Sequence, residues 1–149
     1  MQIIIATDEL AGTNFDDNNN ITVVSVKDGT MEQICEKLLD YLMTVKLKPC
    51  VILCAGTFNV TFDHLEKYKP LYLYGEWSSQ DVIEQMVNDI LKPANKVLQE
   101  VAKKEGKLVV CSLLPSLRNK ISTSIFKPML EEVHEKANLD LKRINLLDR

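Results

Sequence analysis

Histidine is scarce in this chain, with only His64 and His134 among 149 residues, and glycine and proline number five each. Two isolated histidines leave little material for a metal centre. The four cysteines, Cys35, Cys50, Cys54 and Cys111, show no Cys-x-x-Cys spacing and have no histidine beside them, so zinc is not indicated either. Each sits inside an apolar pattern and reads as a reduced core residue. With so few glycines there is no Gly-x-Gly-x-x-Gly and no P-loop after the first apolar segment, which argues against a Rossmann nucleotide site or an NTPase. Long apolar runs are missing as well. Val51-Ile52-Leu53-Cys54-Ala55 and Leu108-Val109-Val110-Cys111 fall far short of the roughly 20 residues a membrane helix needs. Met1-Gln2-Ile3-Ile4-Ile5 lacks the basic start and apolar stretch of a signal peptide, so a cytoplasmic or nuclear location is expected. Nor is there an excess of positive charge. The net charge of −3 argues against an unselective grip on nucleic-acid phosphates, which depends on accumulated Lys and Arg.

What is present fits one globular domain spanning 1–149. A hydrophobic share of 46% with 26% charged residues is ordinary for a chain that buries a single core. Gln2 to Ala6 is a short β-branched run, read as a first strand, and Ile21 to Val26 as a second. Thr30 is placed to cap a helix whose apolar residues Ile34, Leu38, Leu42 and Val45 recur at helical spacing. Cys50 to Ala55 is a continuous apolar run, the mark of a strand covered on both faces. Thr61 to Gln80 reads as an irregular excursion rich in aromatic residues, including Tyr68, Tyr72, Tyr74 and Trp77. A long helix follows from about Asp81 to Glu105, with Val82, Ile83, Met86, Val87, Ile90, Val97, Leu98 and Val101 on its apolar side. Pro93 should kink this helix and Gly106 should end it. Lys107 to Leu114 reads as a fourth strand, Ser122 or Thr123 as the start of a third helix carrying Met129, Leu130 and Val133, and Lys142 to Leu147 as a fifth strand. Strands alternating with helices imply right-handed crossovers, hence a three-layer α/β/α domain with a mainly parallel sheet and helices on both faces.

In open parallel sheets ligands bind beyond the carboxyl ends of the strands, where this chain has Thr7-Asp8-Glu9, Asp28-Gly29-Thr30, Gly56-Thr57-Phe58-Asn59 and Pro115-Ser116-Leu117-Arg118. The order and spacing of these loops resemble the SGNH or GDSL hydrolases, flavodoxin-like esterases with a serine nucleophile after the first strand and a glycine and an asparagine lining the oxyanion hole. The resemblance implies that Asp8, Glu9, Gly29, Gly56 and Asn59 occupy the positions of that site. It also shows departures. Glu9 stands where the serine belongs, and a carboxylate cannot form an acyl-serine intermediate. Phe58 takes the place of the oxyanion asparagine unless the turn shifts by one residue to bring in Asn59. The family's closing Asp-x-x-His has no counterpart before Arg149.

A scaffold of this kind without its nucleophile implies a non-catalytic interaction or assembly module, of the sort found in a viral or mobile-element protein or a ribonucleoprotein, with no cofactor and no metal. The alternative is an esterase or lipase with a rearranged site or one completed beyond Arg149. A third reading is a flavodoxin-like domain that binds a nucleotide or flavin. A protein or RNA is the expected partner, with Arg118, Lys120, Lys142 and Arg143 as a basic patch and Tyr72 and Trp77 as part of a hot-spot or base-stacking surface. The competing account of the aromatic residues is packing onto the sheet. His64 reads as a base or ligand in the aromatic loop or, more simply, as a surface histidine, and His134 as structural or exposed. Asp8 and Glu9 read either as a paired carboxylate site or as acids that solvate a loop.

Overall fold

A computed structural model describes residues 2–8, 21–46, 48–113 and 127–147 of the chain. Its sheet is built from β1 (Gln2–Thr7), β2 (Ile21–Ser25), β3 (Pro49–Cys54) and β4 (Lys107–Val110), all parallel, in the order β2-β1-β3-β4. The helices are α1 (Met31–Leu42), the short α2 (Phe62–Leu65) and α3 (Lys69–Leu73), the long α4 (Ser79–Lys103) and α5 (Lys127–Leu147).

The strands alternate. Ile4, Ala6, Val24, Val51, Leu53, Leu108 and Val110 point to one face and are buried there. Their chain neighbours Ile3, Ile5, Val23, Cys50, Ile52 and Cys54 point to the other face and are half-buried, and Val109 beside them is 48% exposed. Both crossovers, β2 to β3 through α1 and β3 to β4 through α4, step across the sheet in the same direction. Right-handed connections therefore set the two helices on one face, and there α1 packs against α4. This corrects the expectation for β3. Among the described residues α1 and α4 cover only one of its faces, so its pattern is two-sided rather than evenly buried.

Local sequence chemistry fixes the helix starts. Thr30 and Gln33 close a capping box on α1, the Gln33 N–H donating to the Thr30 hydroxyl at 3.4 Å and the Thr30 N–H to the Gln33 carboxamide at 2.9 Å. Ser78 and Asp81 do the same for α4, which therefore begins two residues earlier than its apolar pattern indicates. α4 runs on through Pro93 to Lys103. At its end the left-handed residue is Glu105, φ 56°, while the role of Gly106 is space, because a Cβ there would lie 2.3 Å from the Pro49 carbonyl oxygen.

The expected fifth strand is helix. Lys142 to Leu147 form the last turns of α5, whose Leu130, Val133, Ala137, Leu141 and Ile144 make a buried stripe at helical spacing. α5 packs against α4 and along the outer edge of β4, and it supplies that edge with hydrogen bonds a strand would otherwise give. The Asn145 carboxamide accepts from the Val110 N–H and donates to its carbonyl, both at 2.8 Å. Asn138 accepts from the Leu113 N–H at 2.7 Å and donates to the Leu113 carbonyl at 3.4 Å. Seven helical residues rise about 10.5 Å and three extended residues span about 10 Å, so two amides two turns apart match backbone groups three residues apart.

Candidate functional site

β1, β2 and β3 deliver their carboxyl ends to one edge, and three of the loops singled out in the sequence meet there. Asp8 is buried after β1, and its carbonyl accepts from the Asp28 N–H at 3.4 Å, which ties the first loop to the second. Asn59 is 1% exposed in the 3-10 turn Thr57–Asn59, and its Oδ1 accepts from the Met31 N–H at 2.7 Å. The asparagine side chain thus serves as a second cap on α1, satisfying one of the N–H groups that a helix start leaves without a partner. Gly56 has φ 108°, and a Cβ there would lie 2.7 Å from a Leu113 methyl and 3.2 Å from the Met31 methyl. The space over Gly56 is filled by this chain's own side chains. Glu9, Arg118 and Lys120 lie outside the described residues.

A second cluster forms where the aromatic segment meets α4. Thr61 caps α2, its hydroxyl accepting from the His64 N–H at 3.3 Å, and this sets His64 inward against α4. His64 is buried, contrary to the surface position expected for it, and donates from Nε2 to Asp89 Oδ2 at 3.2 Å. The Tyr68 hydroxyl donates to the same oxygen, and Gln85 Nε2 donates to Oδ1 at 3.0 Å from one turn earlier on α4. Tyr68 in turn stacks on Trp77 with ring centres 5.9 Å apart. Burial alone would push the Asp89 carboxyl up; the hydrogen bonds from His64, Tyr68 and Gln85, with the charge of His64, outweigh it and hold the carboxyl below its usual range. Burial first, then the Asp89 hydrogen bond and charge, push the Tyr68 phenol well above its ordinary value.

Among the described residues this cluster joins an imidazole, a carboxylate, a phenol and a carboxamide. Tyr68 keeps its proton, and the Thr61 hydroxyl is engaged with the Phe58 carbonyl at 3.0 Å. Its chemistry is that of a tether, binding the aromatic segment to α4. The segment is correspondingly ordered, as α2 and α3 rather than an irregular loop. Tyr72 and Trp77 are half-buried and pack against the core, while Leu71, Leu73 and Tyr74 point into water. Beside the tether, an open groove of about 380 Å³ between α1 and α4 is lined by Glu32, Cys35, Glu36, Asp89, Lys92 and Lys96. Burial pushes the Cys35 thiol up to about 12, which makes it inert.

Of the proposed basic patch, only Lys142 and Arg143 fall among the described residues. Lys142 and Arg143 are exposed neighbours on α5, and Arg143 donates to Asp140 at 3.2 Å. Among the described residues no group of three or more His, Cys, Asp or Glu side chains is arranged to hold a metal ion, and no helix is long and apolar enough to cross a membrane. The tether had one sequence signal: Gln85 and Asp89 put polar side chains one turn apart on α4, beside its apolar face. Comparison with protein-family models, with curated proteins and with solved structures finds no match to this chain.

Proposed function

We propose that this chain is a non-catalytic domain of the SGNH-like, flavodoxin-like kind that works as an interaction module with a protein as its partner. The observation that carries the reading is the outer side of α3 and its C-terminal end, where Leu71, Leu73 and Tyr74 are 40%, 49% and 88% exposed within four residues. Grouped exposed apolar side chains are the usual mark of a contact surface. Here they stand on a segment held from behind by Trp77, Tyr68 and Asp89, so little ordering entropy is lost when they are covered. Two features of the strand-end loops support a non-catalytic role. Asn59 caps α1, and Leu113 and Met31 fill the space over Gly56, where an oxyanion hole would need room. A protein is favoured over RNA because Arg143 is paired with Asp140 and the chain carries a net charge of −3.

The test is a photo-crosslinking amino acid in place of Tyr74, in the full chain expressed in cells that carry the native gene. A discrete protein adduct that disappears when Leu71 and Leu73 are both changed to Ser is the expected result. RNA adducts abolished by charge reversal at Arg118, Lys120, Lys142 and Arg143 would replace the protein partner with RNA. Fluorophosphonate labelling of a serine together with turnover of short-chain esters would overturn the non-catalytic reading.

A further inference from the structure

We propose that Cys54 and Cys111 are a thiol-disulfide exchange site, closing to a reversible disulfide at the carboxyl end of the sheet when a low-molecular-weight disulfide is present. The proposal is independent of the interaction reading. It begins with the register. β3 and β4 pair in parallel with Leu53 opposite Val110, and the Cys111 N–H donates to the Leu53 carbonyl at 2.9 Å, so the ladder continues one step beyond β4. The next pair across the strands is Cys54 and Cys111. In-register residues of parallel neighbours point to the same face, and strands lie about 4.8 Å apart, inside the roughly 4.4–6.8 Å Cα separation that a disulfide requires. The two side chains are near enough for Cys111 to act on the Cys54 thiol. Both residues are half-buried, on the sheet face opposite α1 and α4, which leaves a small reagent access. The other cysteines have no such partner: Cys50 lies opposite Lys107, and Cys35 is buried on α1.

The roles of the two sulfurs differ. Burial, then the Cys111 hydrogen bond and charge, then the charge of Asp8, push the Cys54 thiol up to about 12. In the proposed exchange Cys111 attacks first and Cys54 resolves. Its thiolate displaces one thiolate from the reagent to give a mixed disulfide on Cys111. Cys54 then loses its proton to solvent and attacks the Cys111 sulfur, releasing the second reagent thiolate. Two protein thiols are oxidised, one reagent disulfide is reduced to two thiols, and no other oxidant enters. The bond joins the ends of β3 and β4 and closes the intervening chain, α2 to α4, into a covalent loop.

The experiment treats the folded, unaltered full chain with dithiodipyridine, a neutral aromatic disulfide that Asp8 does not repel, then blocks free thiols and maps peptides without reduction. The expected product is a monomer that has lost two hydrogens, with the Cys54 and Cys111 peptides joined, and dithiothreitol restores the thiols. Below the Cys54 value, closure should accelerate about tenfold for each unit by which the pH is raised, because the resolving thiolate grows in that proportion. Separate pyridyl adducts on the two cysteines, a bond to Cys35 or Cys50, a cross-link between chains, or two thiols that stay free in the folded chain would each overturn the proposal. Cys54→Ser adds a further check, since it should trap the adduct on Cys111; if that variant fails to fold, the map of the unaltered chain decides.

Discussion

Gly56 shows how a single residue can be misread for the right reason. A glycine after a buried strand marks a close approach, and that much is visible in Val51-Ile52-Leu53-Cys54-Ala55-Gly56. What approaches is decided by residues far away in the chain, Met31 and Leu113, and no local pattern records it. Gly56→Ala combines a left-handed backbone with a clash against Leu113, and should cost about 2–4 kcal/mol in urea unfolding. In a double-mutant cycle with Leu113→Ala the two changes should couple by about 1 kcal/mol, since the shorter side chain removes the Leu113 clash and leaves the backbone cost and the tighter Met31 contact. His134 is the opposite case. Its Nε2 is buried and has no hydrogen-bond partner among the described residues, which the sequence could not show. His134→Leu removes the unmatched nitrogen and keeps apolar bulk, so it should stabilise the chain by about 1 kcal/mol. Differential scanning calorimetry would register this as a rise in Tm of about 3 °C.

At the scale of elements, helical periodicity located α1 and α4, and short β-branched or apolar runs located β1 to β4, although the run in β3 hid the fact that the described helices cover only one of its faces. Periodicity failed for Lys142 to Leu147. Six residues with apolar Ile144, Leu146 and Leu147 fit a short strand as well as two helical turns, and only the longer stripe back through Leu141, Ala137 and Val133 separates the two. The aromatic segment failed differently. α2 and α3 are too short to form from propensity alone, and tertiary contacts to Asp89 hold them. The asparagines of α5 could not be recognised from sequence because their meaning lies in their partners. An exposed strand edge invites pairing with other chains, and Asn145 and Asn138 block the β4 edge with side-chain amides. Asn145→Ala would leave the N–H and carbonyl of buried Val110 without those bonds, at a cost of about 2–4 kcal/mol. The variant should also show concentration-dependent association by analytical ultracentrifugation, whereas Asn145→Asp, which still accepts from the Val110 N–H, should retain part of the stability.

For the whole molecule, the tether links the acid limb of stability to the proposed docking surface. A carboxyl held below its usual range in the folded state contributes stability that is fully present above its unfolded value, about 3.9, and is lost as pH falls through the depressed folded value. The unfolding free energy should therefore begin to decline below roughly pH 5 and keep falling through the folded Asp89 value. Asp89→Asn removes the titrating group. At pH 7 it should be less stable than the parent by about 1–3 kcal/mol, because a neutral amide accepts more weakly from His64 and Tyr68. The gap should narrow as the pH is lowered, since the parent loses the same charge that the variant never had. Urea titrations of both proteins at several pH values measure this directly, and a gap that stays constant down to acid pH would show that Asp89 is not the group responsible. The same carboxylate anchors Tyr68, on which Trp77 stacks, and α3 runs between them. Crosslinking from position 74 should accordingly fall in Asp89→Asn at pH 7 while far-UV circular dichroism still reports a folded sheet. A local loss of this kind separates detachment of α3 from global unfolding, because unfolding would remove both signals together.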